Sequence, residues 1–359
     1  MAAIADGRTI PFDWYADPTV LRLERERIFR RTWQYAGRAE QVVESGSFFA
    51  CHVGGIPVVV VRGRDSVLRA FLNVCRHRGS LVCEGEGKRE TLQCPYHAWT
   101  YELDGSLRAA PRADREADFD RSELGLRSVQ VDTWGPFVFV NPDPDAAPLA
   151  ETLDELPALV ASSGLDLDSL RFLKRTHSQY EANWKVCCEN FLECYHCQVA
   201  HPAFSKVVDV SADAYVLEES RWFSTQLGPV RAGSGRATWS GDFDPRGPVE
   251  RGQFHFVWPN LTINVMPGQP NLSIGPVLPT GAETTERYLD YFVGPGVDEE
   301  WLEEMLAFDD QVGAEDVVLI ERAQKGLRSG GLERGHLLPE SERLIAHFQG
   351  LLVDALGAS

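Results

Sequence analysis

The stretch that decides the fold is NVCRHRGSLVCEGEGKRETLQCPYHAWTY, Asn73–Tyr101. It contains two pairs of potential metal ligands, Cys75-x-His77 and Cys94-x2-His97, with sixteen residues between the pairs. Structural zinc sites usually join Cys-x2–4-Cys to His-x3–5-His, so a mixed pair on each of two turns matches a zinc finger poorly. The pattern therefore indicates a different centre with two thiolate and two imidazole ligands.

A Rieske [2Fe–2S] cluster uses this ligand set, because one of its irons takes two Cys and the other takes two neutral His. We predict that Cys75, His77, Cys94 and His97 hold such a cluster. The alternative is a zinc ion, or core residues with no metal. Cys83 lies between the pairs, outside both, and is interpreted as a packed thiol.

Short β-rich runs separated by Gly and Asp turns surround these pairs, from about residue 34 to 111, and predict a compact antiparallel module. We assign residues 36–113 to this cluster domain, residues 1–35 to an N-terminal helical segment and residues 114–359 to a larger catalytic domain. The predicted fold class is α+β, with the β-rich module inserted near the N-terminus of the larger domain.

Composition limits the classes of function. The formal net charge of −18 argues against nucleic-acid binding, because that affinity comes from neutralising phosphates. We find no apolar run of eighteen residues and no signal-peptide pattern, so we expect no membrane span and a cytoplasmic location. The eight cysteines are not expected to form a disulfide framework. The segment from Val61 to Arg115 has a local net charge of +3, which suits either an acidic partner or a mixed solvated surface.

The rest of the chain mixes strand and helix signals. Apolar alternation predicts strands in SVQVDTWGPFVFVNPDP, FHFVWPNLTINVMPG, LSIGPVL and ERYLDYFVG. Helical periodicity predicts helices in ADPTVLRLERERIFRRTW, LAETLDELPALVASS, WKVCCENFLECYHCQVAH, DEEWLEEMLAFDDQVGAEDVVLIERAQKGL and ESERLIAHFQGLLVDAL.

A second group of ligand types lies in ENFLECYHCQVAHP, Glu189–Pro202. One interpretation is a zinc site made of Cys194, Cys197 and His201. On a continuous helix, however, Cys194 and His201 would lie about 10 Å apart along the axis, which is too far for ligands of one ion. We therefore interpret Cys194 and Cys197, together with Cys188, as packed small residues, and the CxxC spacing as a coincidence.

The histidines of this stretch fit a different site. Glu189, Glu193 and His196 share one stripe of a continuous helix. His196 and His201 are about 7.5 Å apart along the axis, and their rings converge if the helix loosens before Pro202. They then become the two histidines of a 2-His-1-carboxylate site, which leaves open positions on ferrous iron.

The third ligand of this site must be a carboxylate from elsewhere. Asp316 lies on the apolar stripe of the long helix predicted over residues 298–327, so its side chain is expected to face inward. Glu315 is expected to point toward solvent, and Asp309 is the alternative ligand. Glu193 is expected to accept the second N–H group of a ligating imidazole, as acids near such histidines commonly do.

These motifs resemble the Rieske non-haem iron oxygenase family, specifically the α (terminal oxygenase) subunit of ring-hydroxylating oxygenases. The likeness covers most of the chain and rests on ERERIFRRTWQYAGRA, CRHRG, CPYHAW, ENFLECYHC and EDVVLIERAQKGL. It implies a helix-grip, or START-like, catalytic domain in which an antiparallel sheet wraps on long helices. It also implies a mononuclear Fe(II), held by His196, His201 and, through the ED-x4-E-x2-Q block, Asp316.

The resemblance gives Glu193 a second role. The family's acid at this position, usually Asp, links a Rieske histidine of one subunit to an iron-ligating histidine of the next. Here Glu193 would link His97 to His196 of a neighbouring subunit, which implies a cyclic homo-oligomer, expected to be a trimer. Glu in place of Asp resembles the branch that acts on glycine betaine, choline, stachydrine and carnitine.

The function that this resemblance implies is O2-dependent N-demethylation or hydroxylation of a small quaternary ammonium compound. Electrons would come from NAD(P)H through a separate reductase or ferredoxin, because GSGRATW at Gly233 lacks the full nicotinamide-binding spacing. Phe254, Phe256 and Trp258 are candidates for the substrate pocket or for the core. Two alternatives stay open: hydroxylation of an aromatic ring, and a Rieske electron carrier without oxygenase activity.

Overall fold

The computed structural model describes residues 7–233 and 244–357, so GSGRATW lies outside the described residues except for Gly233. The chain divides into two compact units, one spanning Arg25–Glu151 and the other combining Met1–Glu24 with Thr152–Ser359. The first unit is therefore an insertion in the sequence of the second, as predicted. The domain limits at residues 35 and 113 stay a prediction.

The unit Arg25–Glu151 is built from antiparallel strands. A seven-stranded sheet has the order β1-β10-β9-β4-β3-β2-β5, and a three-stranded sheet has the order β6-β7-β8. The strands are β1 (Gln34–Arg38), β2 (Ser47–Val53), β3 (Ile56–Arg62), β4 (Leu68–Leu72), β5 (Glu86–Lys88), β6 (Leu92–Gln93), β7 (Thr100–Tyr101), β8 (Leu107–Ala109), β9 (Ser128–Trp134) and β10 (Phe137–Asn141).

Strand β3 connects the two hydrophobic clusters of this unit. Val58 and Val60 pack in one cluster, whereas Val59 and Val61 pack in the other, because successive side chains of a strand point to opposite faces. A strand that is buried on both faces has a continuous apolar sequence, which explains the run PVVVV. The cluster on the Val59 face also contains the candidate ligands Cys75 and Cys94.

The second unit contains another seven-stranded antiparallel sheet, in the order β11-β17-β16-β15-β14-β13-β12. Its strands are β11 (Arg171–Tyr180), β12 (Val216–Glu219), β13 (Phe223–Pro229), β14 (Arg251–Val257), β15 (Leu261–Val265), β16 (Asn271–Gly281) and β17 (Thr284–Val293). The antiparallel strands and long helices confirm the predicted α+β class.

The helices differ from the prediction at two places. The segment LAETLDELPALVASS forms two short helices instead of one, and WKVCCENFLECYHCQVAH is interrupted. None of the helices within the described residues is long and apolar enough to cross a membrane. The helices are α1 (Pro18–Glu24), α2 (Leu149–Leu153), α3 (Leu156–Ser162), α4 (Trp184–Phe191), α5 (Cys197–Ala200), α6 (Phe204–Val207), α7 (Glu299–Leu327) and α8 (Arg343–Leu356), with a π-helical turn at Arg25–Phe29.

A buried ion pair joins α1 to α4. Lys185 Nζ lies 2.6 Å from Glu24 Oε1, and both side chains are fully buried. The indole N–H of Trp184 donates to the other carboxylate oxygen at 2.8 Å. Burial lowers the pKa of Lys185, and the neighbouring charge of Glu24 opposes this change. The pair therefore fixes the N-terminal helix to the helix that leads into the second group of ligand types.

We predict that Glu24→Gln destabilises this unit by about 3 kcal/mol, because removing one partner of a buried ion pair leaves an uncompensated charge. Thermal unfolding followed by circular dichroism measures the effect. The matched control is the double variant Glu24→Leu/Lys185→Met, in which no charge remains, and it should melt at a higher temperature than Glu24→Gln. Equal melting temperatures for the wild type and Glu24→Gln would contradict the prediction.

Candidate metal centres

Two loops of the first unit have matching backbone conformations. The N–H of Gly79 donates to the C=O of Cys75 at 3.0 Å, and the N–H of Ala98 donates to the C=O of Cys94 at 3.1 Å. Gly79 and Ala98 occupy the same place in the two loops and both have positive φ, +76° and +56°. Each loop thus turns back sharply just after presenting its Cys and His.

The four predicted cluster ligands come together at these loops. Cys75 and Cys94 are buried, whereas His77 and His97 are exposed, with ring centroids 4.6 Å apart. Trp99 stacks on the His77 ring at 5.0 Å and fixes its plane. The arrangement has thiols on its inner side and imidazoles on its outer side.

The donor chemistry fits a two-iron cluster better than a single ion. A single ion needs donor atoms that lie close together. Within residues 7–233 and 244–357, the four side chains do not supply three donor atoms that all lie within 4.8 Å of one another. The Tyr101 hydroxyl accepts from the N–H of Arg76 at 3.0 Å and lies within hydrogen-bond distance of Cys75 Sγ, at 3.3 Å. Cys83 is buried nearby, and burial raises its pKa to about 11, so it stays a protonated thiol.

The second candidate site lies in a segment that is less helical than expected. α4 ends at Phe191 and α5 begins only at Cys197, so Glu189, Glu193 and His196 do not share one helical stripe, and that prediction is wrong. The Glu193 carboxylate accepts the backbone N–H groups of Tyr195 and His196, which stabilises a turn in place of a helix.

Glu189 is separated from the site by this break. Its carboxylate accepts hydrogen bonds from Tyr15 Oη at 2.7 Å and from Gln349 Nε2 at 2.8 Å. Burial raises the pKa of Glu189 to about 7. It connects α4 to the N-terminal segment and to α8, and it contributes no donor to the metal centre.

The CxxC motif also differs from its interpretation. Cys194 and Cys197 form a disulfide, with Cα atoms 4.9 Å apart, so reading them as unlinked packed residues was wrong. The turn after Phe191 makes this possible, because it directs the two Cβ atoms toward each other. Cys188 does stay an unpaired, fully buried thiol, and burial raises its pKa well above the usual value.

Three predicted iron ligands converge. His196 Nε2 and His201 Nε2 lie 3.1 Å apart, and Asp316 Oδ1 is 3.0 Å from the second and 3.7 Å from the first. Among the described residues, this is the one set of three His, Cys, Asp or Glu donors that lie within 4.8 Å of one another. The convergence and the donor types fit a 2-His-1-carboxylate iron site.

Other side chains orient these donors. His196 Nδ1 contacts the Glu193 carboxylate, and His201 Nδ1 lies 2.8 Å from Glu315 Oε2. Each imidazole therefore presents Nε2 to the common point. The amide of Asn190 donates to Asp316 Oδ1 at 2.8 Å.

Two of these supporting residues were missed or misplaced in the sequence analysis. Glu315 does not point to solvent as expected, because its long side chain reaches around α7 to His201. Asn190 was not considered, and its position one turn after Val186 on α4 gave no sequence signal. Asp309, the alternative ligand, instead contacts the Tyr291 hydroxyl and lies outside the converging set.

The triad opens onto a cavity of about 400 Å³. The cavity face of the sheet is made by alternate residues of its strands, and α7 covers the other side. Phe254 lines the cavity, whereas Phe256 and Trp258 pack on Phe348 of α8, with ring centroids 5.5 and 5.7 Å away. The sheet residues at the cavity include Thr176, Ser178, Tyr180, Gln226, Thr262, Asn264, Val277, Arg287, Leu289 and Tyr291.

The fold and the two ligand sets define an iron-dependent oxygenase component. A model of the Rieske [2Fe–2S] domain matches residues 32–131, and a model of the ring hydroxylating alpha subunit catalytic domain matches residues 167–358. The chain belongs to the Rieske non-haem iron oxygenase family, as an α (terminal oxygenase) subunit. Its cofactors are a Rieske [2Fe–2S] cluster and a mononuclear iron.

Relatives cover nearly the whole chain. The carnitine monooxygenase oxygenase subunit of Escherichia coli K12 is 34% identical over 96% of this chain and 93% of its own length. Choline monooxygenase of Amaranthus tricolor is 32% identical over 98% of this chain and 78% of its own length. The crystal structure of the quaternary ammonium Rieske monooxygenase CntA with L-carnitine has a TM-score of 0.83 at 30% identity, covering 97% of this chain and 95% of that one. Naphthalene 1,2-dioxygenase from Rhodococcus sp. shares the fold, with a TM-score of 0.78 at 19% identity over 98% of this chain and 95% of that one.

We predict that Asp316→Asn lowers the iron content from about three to about two atoms per chain, because it removes the anionic ligand of the mononuclear site and leaves the cluster loops intact. Iron analysis of anaerobically purified protein, with the visible spectrum of the cluster, measures this. Asp309→Asn is the matched control and should keep three. Loss of iron in Asp309→Asn alone would reverse the assignment, and two irons in the wild type would favour an electron carrier.

Proposed function

We propose that this chain is the terminal oxygenase of a multicomponent system that N-demethylates or hydroxylates a small quaternary ammonium substrate with O2. The observation that carries the proposal is the opening of the His196, His201 and Asp316 donors onto the cavity of about 400 Å³. NAD(P)H is the electron source, through a separate reductase or ferredoxin, and the basic region Val61–Arg115 is its proposed docking surface.

The proposed cluster ligands are Cys75, His77, Cys94 and His97, and the proposed iron ligands are His196, His201 and Asp316. When bound, the cluster supplies electrons and the mononuclear iron supplies the centre for O2 activation. The protein groups around the proposed iron position orient its ligands. Glu193 and Glu315 hold the imidazoles in one tautomer, and Asn190 holds the carboxylate.

The character of the cavity supports a cationic substrate. Its wall carries the carboxylates of Glu193, Asp309, Asp310 and Asp316, and it also carries several aromatic rings. Aromatic faces and carboxylates both attract a quaternary ammonium group. The aromatic lining residues are Tyr180, Phe191, Phe204, Tyr215, Phe254, Tyr291 and Phe308. Carnitine and choline monooxygenases, the named relatives, act on substrates that carry this group.

Aromatic ring hydroxylation is less well supported. The resemblance to naphthalene 1,2-dioxygenase is at 19% identity and concerns the fold alone. An uncharged ring would also displace water from the four carboxylates of the cavity without the electrostatic attraction that a cation gives in return.

We further propose that Glu193 links the two metal centres across a subunit boundary in a homotrimer. Glu193 is followed by two exposed apolar side chains, Tyr195 (65% exposed) and Val199 (89%). In the other unit, Tyr96 beside His97 is 56% exposed. Exposed apolar groups next to both ends of the proposed link are expected where another subunit covers them.

Turnover with a purified reductase tests the substrate class. Formaldehyde from a trimethylammonium substrate would report N-demethylation, and release of trimethylamine would report hydroxylation of the carbon bound to nitrogen. We expect one of these products, in proportion to O2 consumed. Diol or phenol formation from aromatic compounds, with neither product from quaternary ammonium compounds, would overturn the proposal.

The role of Glu193 is tested by Glu193→Gln. We expect both metal centres to stay loaded, because the amide oxygen still accepts the His196 N–H group, while oxidation of the pre-reduced cluster by O2 slows by about 10- to 100-fold. Glu315→Gln is the matched control, since it changes the equivalent contact to His201 without touching the proposed link. Loss of mononuclear iron in Glu193→Gln, or cluster oxidation at the wild-type rate, would refute the role.

A further inference from the structure

Arg287 is the one Lys or Arg among the described residues that line the cavity. It lies on β17, where Leu289 and Tyr291 share its face of the sheet, since alternate residues of a strand point the same way. The cavity that contains the iron-site donors thus also contains a single fixed cation.

The guanidinium of Arg287 has fewer partners than it offers donors. Its Nη2 donates to Thr262 Oγ1 at 3.0 Å, and Tyr180 lies close to it. Its Nε is buried without a hydrogen-bond partner among the described residues. Arg guanidinium carries five N–H donors in a fixed fork, so part of this fork stays unused.

No acid of the described chain forms an ion pair with Arg287 within 4.0 Å. The carboxylate that acts electrostatically on Arg287 is that of Asp309, which is engaged by the Tyr291 hydroxyl. Burial raises the pKa of Asp309, which weakens it further as a counterion. An arginine that lines a cavity without an ion-pair partner of its own is costly to desolvate, unless a ligand supplies a carboxylate.

The two charged regions border the same part of the cavity. Cys187 of α4, Arg287 of β17 and Asp316 of α7 all line this cavity. The cavity therefore presents one cation on the sheet, and carboxylates on α7 and beside His196, which include that of the proposed iron ligand Asp316. A ligand that matches both ends carries an anionic group and a cationic group on a short chain.

We propose that Arg287 binds the carboxylate of a zwitterionic substrate, so that this enzyme acts on trimethylammonium carboxylates and discriminates against trimethylammonium alcohols. This inference rests on the proposed function and narrows it. The planar fork accepts a carboxylate through charge-assisted hydrogen bonds, and an alcohol would leave it unpaired. Arg287 is then a specificity and positioning residue: it fixes one end of the substrate, and the ammonium end reaches the His196, His201 and Asp316 donors.

Calorimetric titration of the anaerobic holoenzyme with four matched ligands tests this. γ-Butyrobetaine carries both charges, its primary amide and choline lack the carboxylate, and 5,5-dimethylhexanoate keeps the carboxylate but replaces the ammonium by a neutral tert-butyl group. The wild type should bind γ-butyrobetaine at least about 30-fold more tightly than its amide, as expected for a desolvated charge pair.

Arg287→Gln should weaken γ-butyrobetaine and 5,5-dimethylhexanoate by about 30-fold or more, while the amide and choline change by less than about threefold. Arg287→Lys should recover part of the loss, because its ammonium keeps the charge without the fork. Melting temperature and iron content show whether each variant is folded. If Arg287→Gln does not fold, the comparison of acid with amide in the wild type and in Arg287→Lys decides.

Equal affinity of the wild type for acid and amide would overturn the assignment. So would an equal loss of all four ligands in folded Arg287→Gln, which is the result expected of a purely structural arginine. The proposed function fails differently: no trimethylammonium ligand would bind or turn over, whatever the residue at position 287. Arg287-dependent binding of 5,5-dimethylhexanoate in that case would still support the carboxylate site.

Discussion

The constraint on which the catalytic unit depends is the approach of two imidazole nitrogens to 3.1 Å of each other, with a carboxylate oxygen beside them. Since Glu193 and Glu315 accept at the Nδ1 positions, both Nε2 atoms carry lone pairs directed to one point. Lone pairs and a carboxylate repel one another at this distance unless a cation lies between them. The surrounding structure is therefore arranged around a cation at this point, which is where we propose that the mononuclear iron binds.

The rigidity of α7 makes this arrangement possible. Glu315 and Asp316 are consecutive residues, and they contact the two different nitrogens of the same imidazole, that of His201. A single helix of 29 residues sets the spacing of both carboxylates at once. The histidines, in contrast, come from a turn and a short helix, because a continuous helix could not bring their rings together. The carboxylates of the site therefore lie on a regular helix, and the histidines lie on an irregular segment that brings them close to it.

Sequence reasoning predicted the parts of this structure that depend on residue type and spacing. The paired Cys and His motifs predicted the [2Fe–2S] cluster, short β-rich runs with Gly and Asp turns predicted the β-rich module, and apolar periodicity predicted most strands and the long helix. The break after Phe191 was missed, because it results from side-chain contacts of Glu193 and from the Cys194–Cys197 bond, neither of which has a periodic signature.

The orientation of long polar side chains was likewise beyond the reach of sequence alone. Glu315 was expected at the surface from its angle on the helix, yet it is the tertiary position of His201 that decides where it points. Phe254, Phe256 and Trp258 share one strand and its turn, but only α8 determines which of them packs in the core. Arg287 was not predicted as a site residue, since no pattern in ERYLDYFVG indicates that its side chain faces a cavity.

The disulfide between Cys194 and Cys197 closes a loop of four residues. The chain entropy that a crosslink removes from the unfolded protein grows with the length of the loop that it closes. A disulfide that closes such a short loop therefore adds little to the stability of the whole unit. Its effect is local: it limits the rotation of the peptide segment that carries His196. The bond thus restrains the direction of one proposed iron ligand, and the fold around it would persist with both thiols reduced.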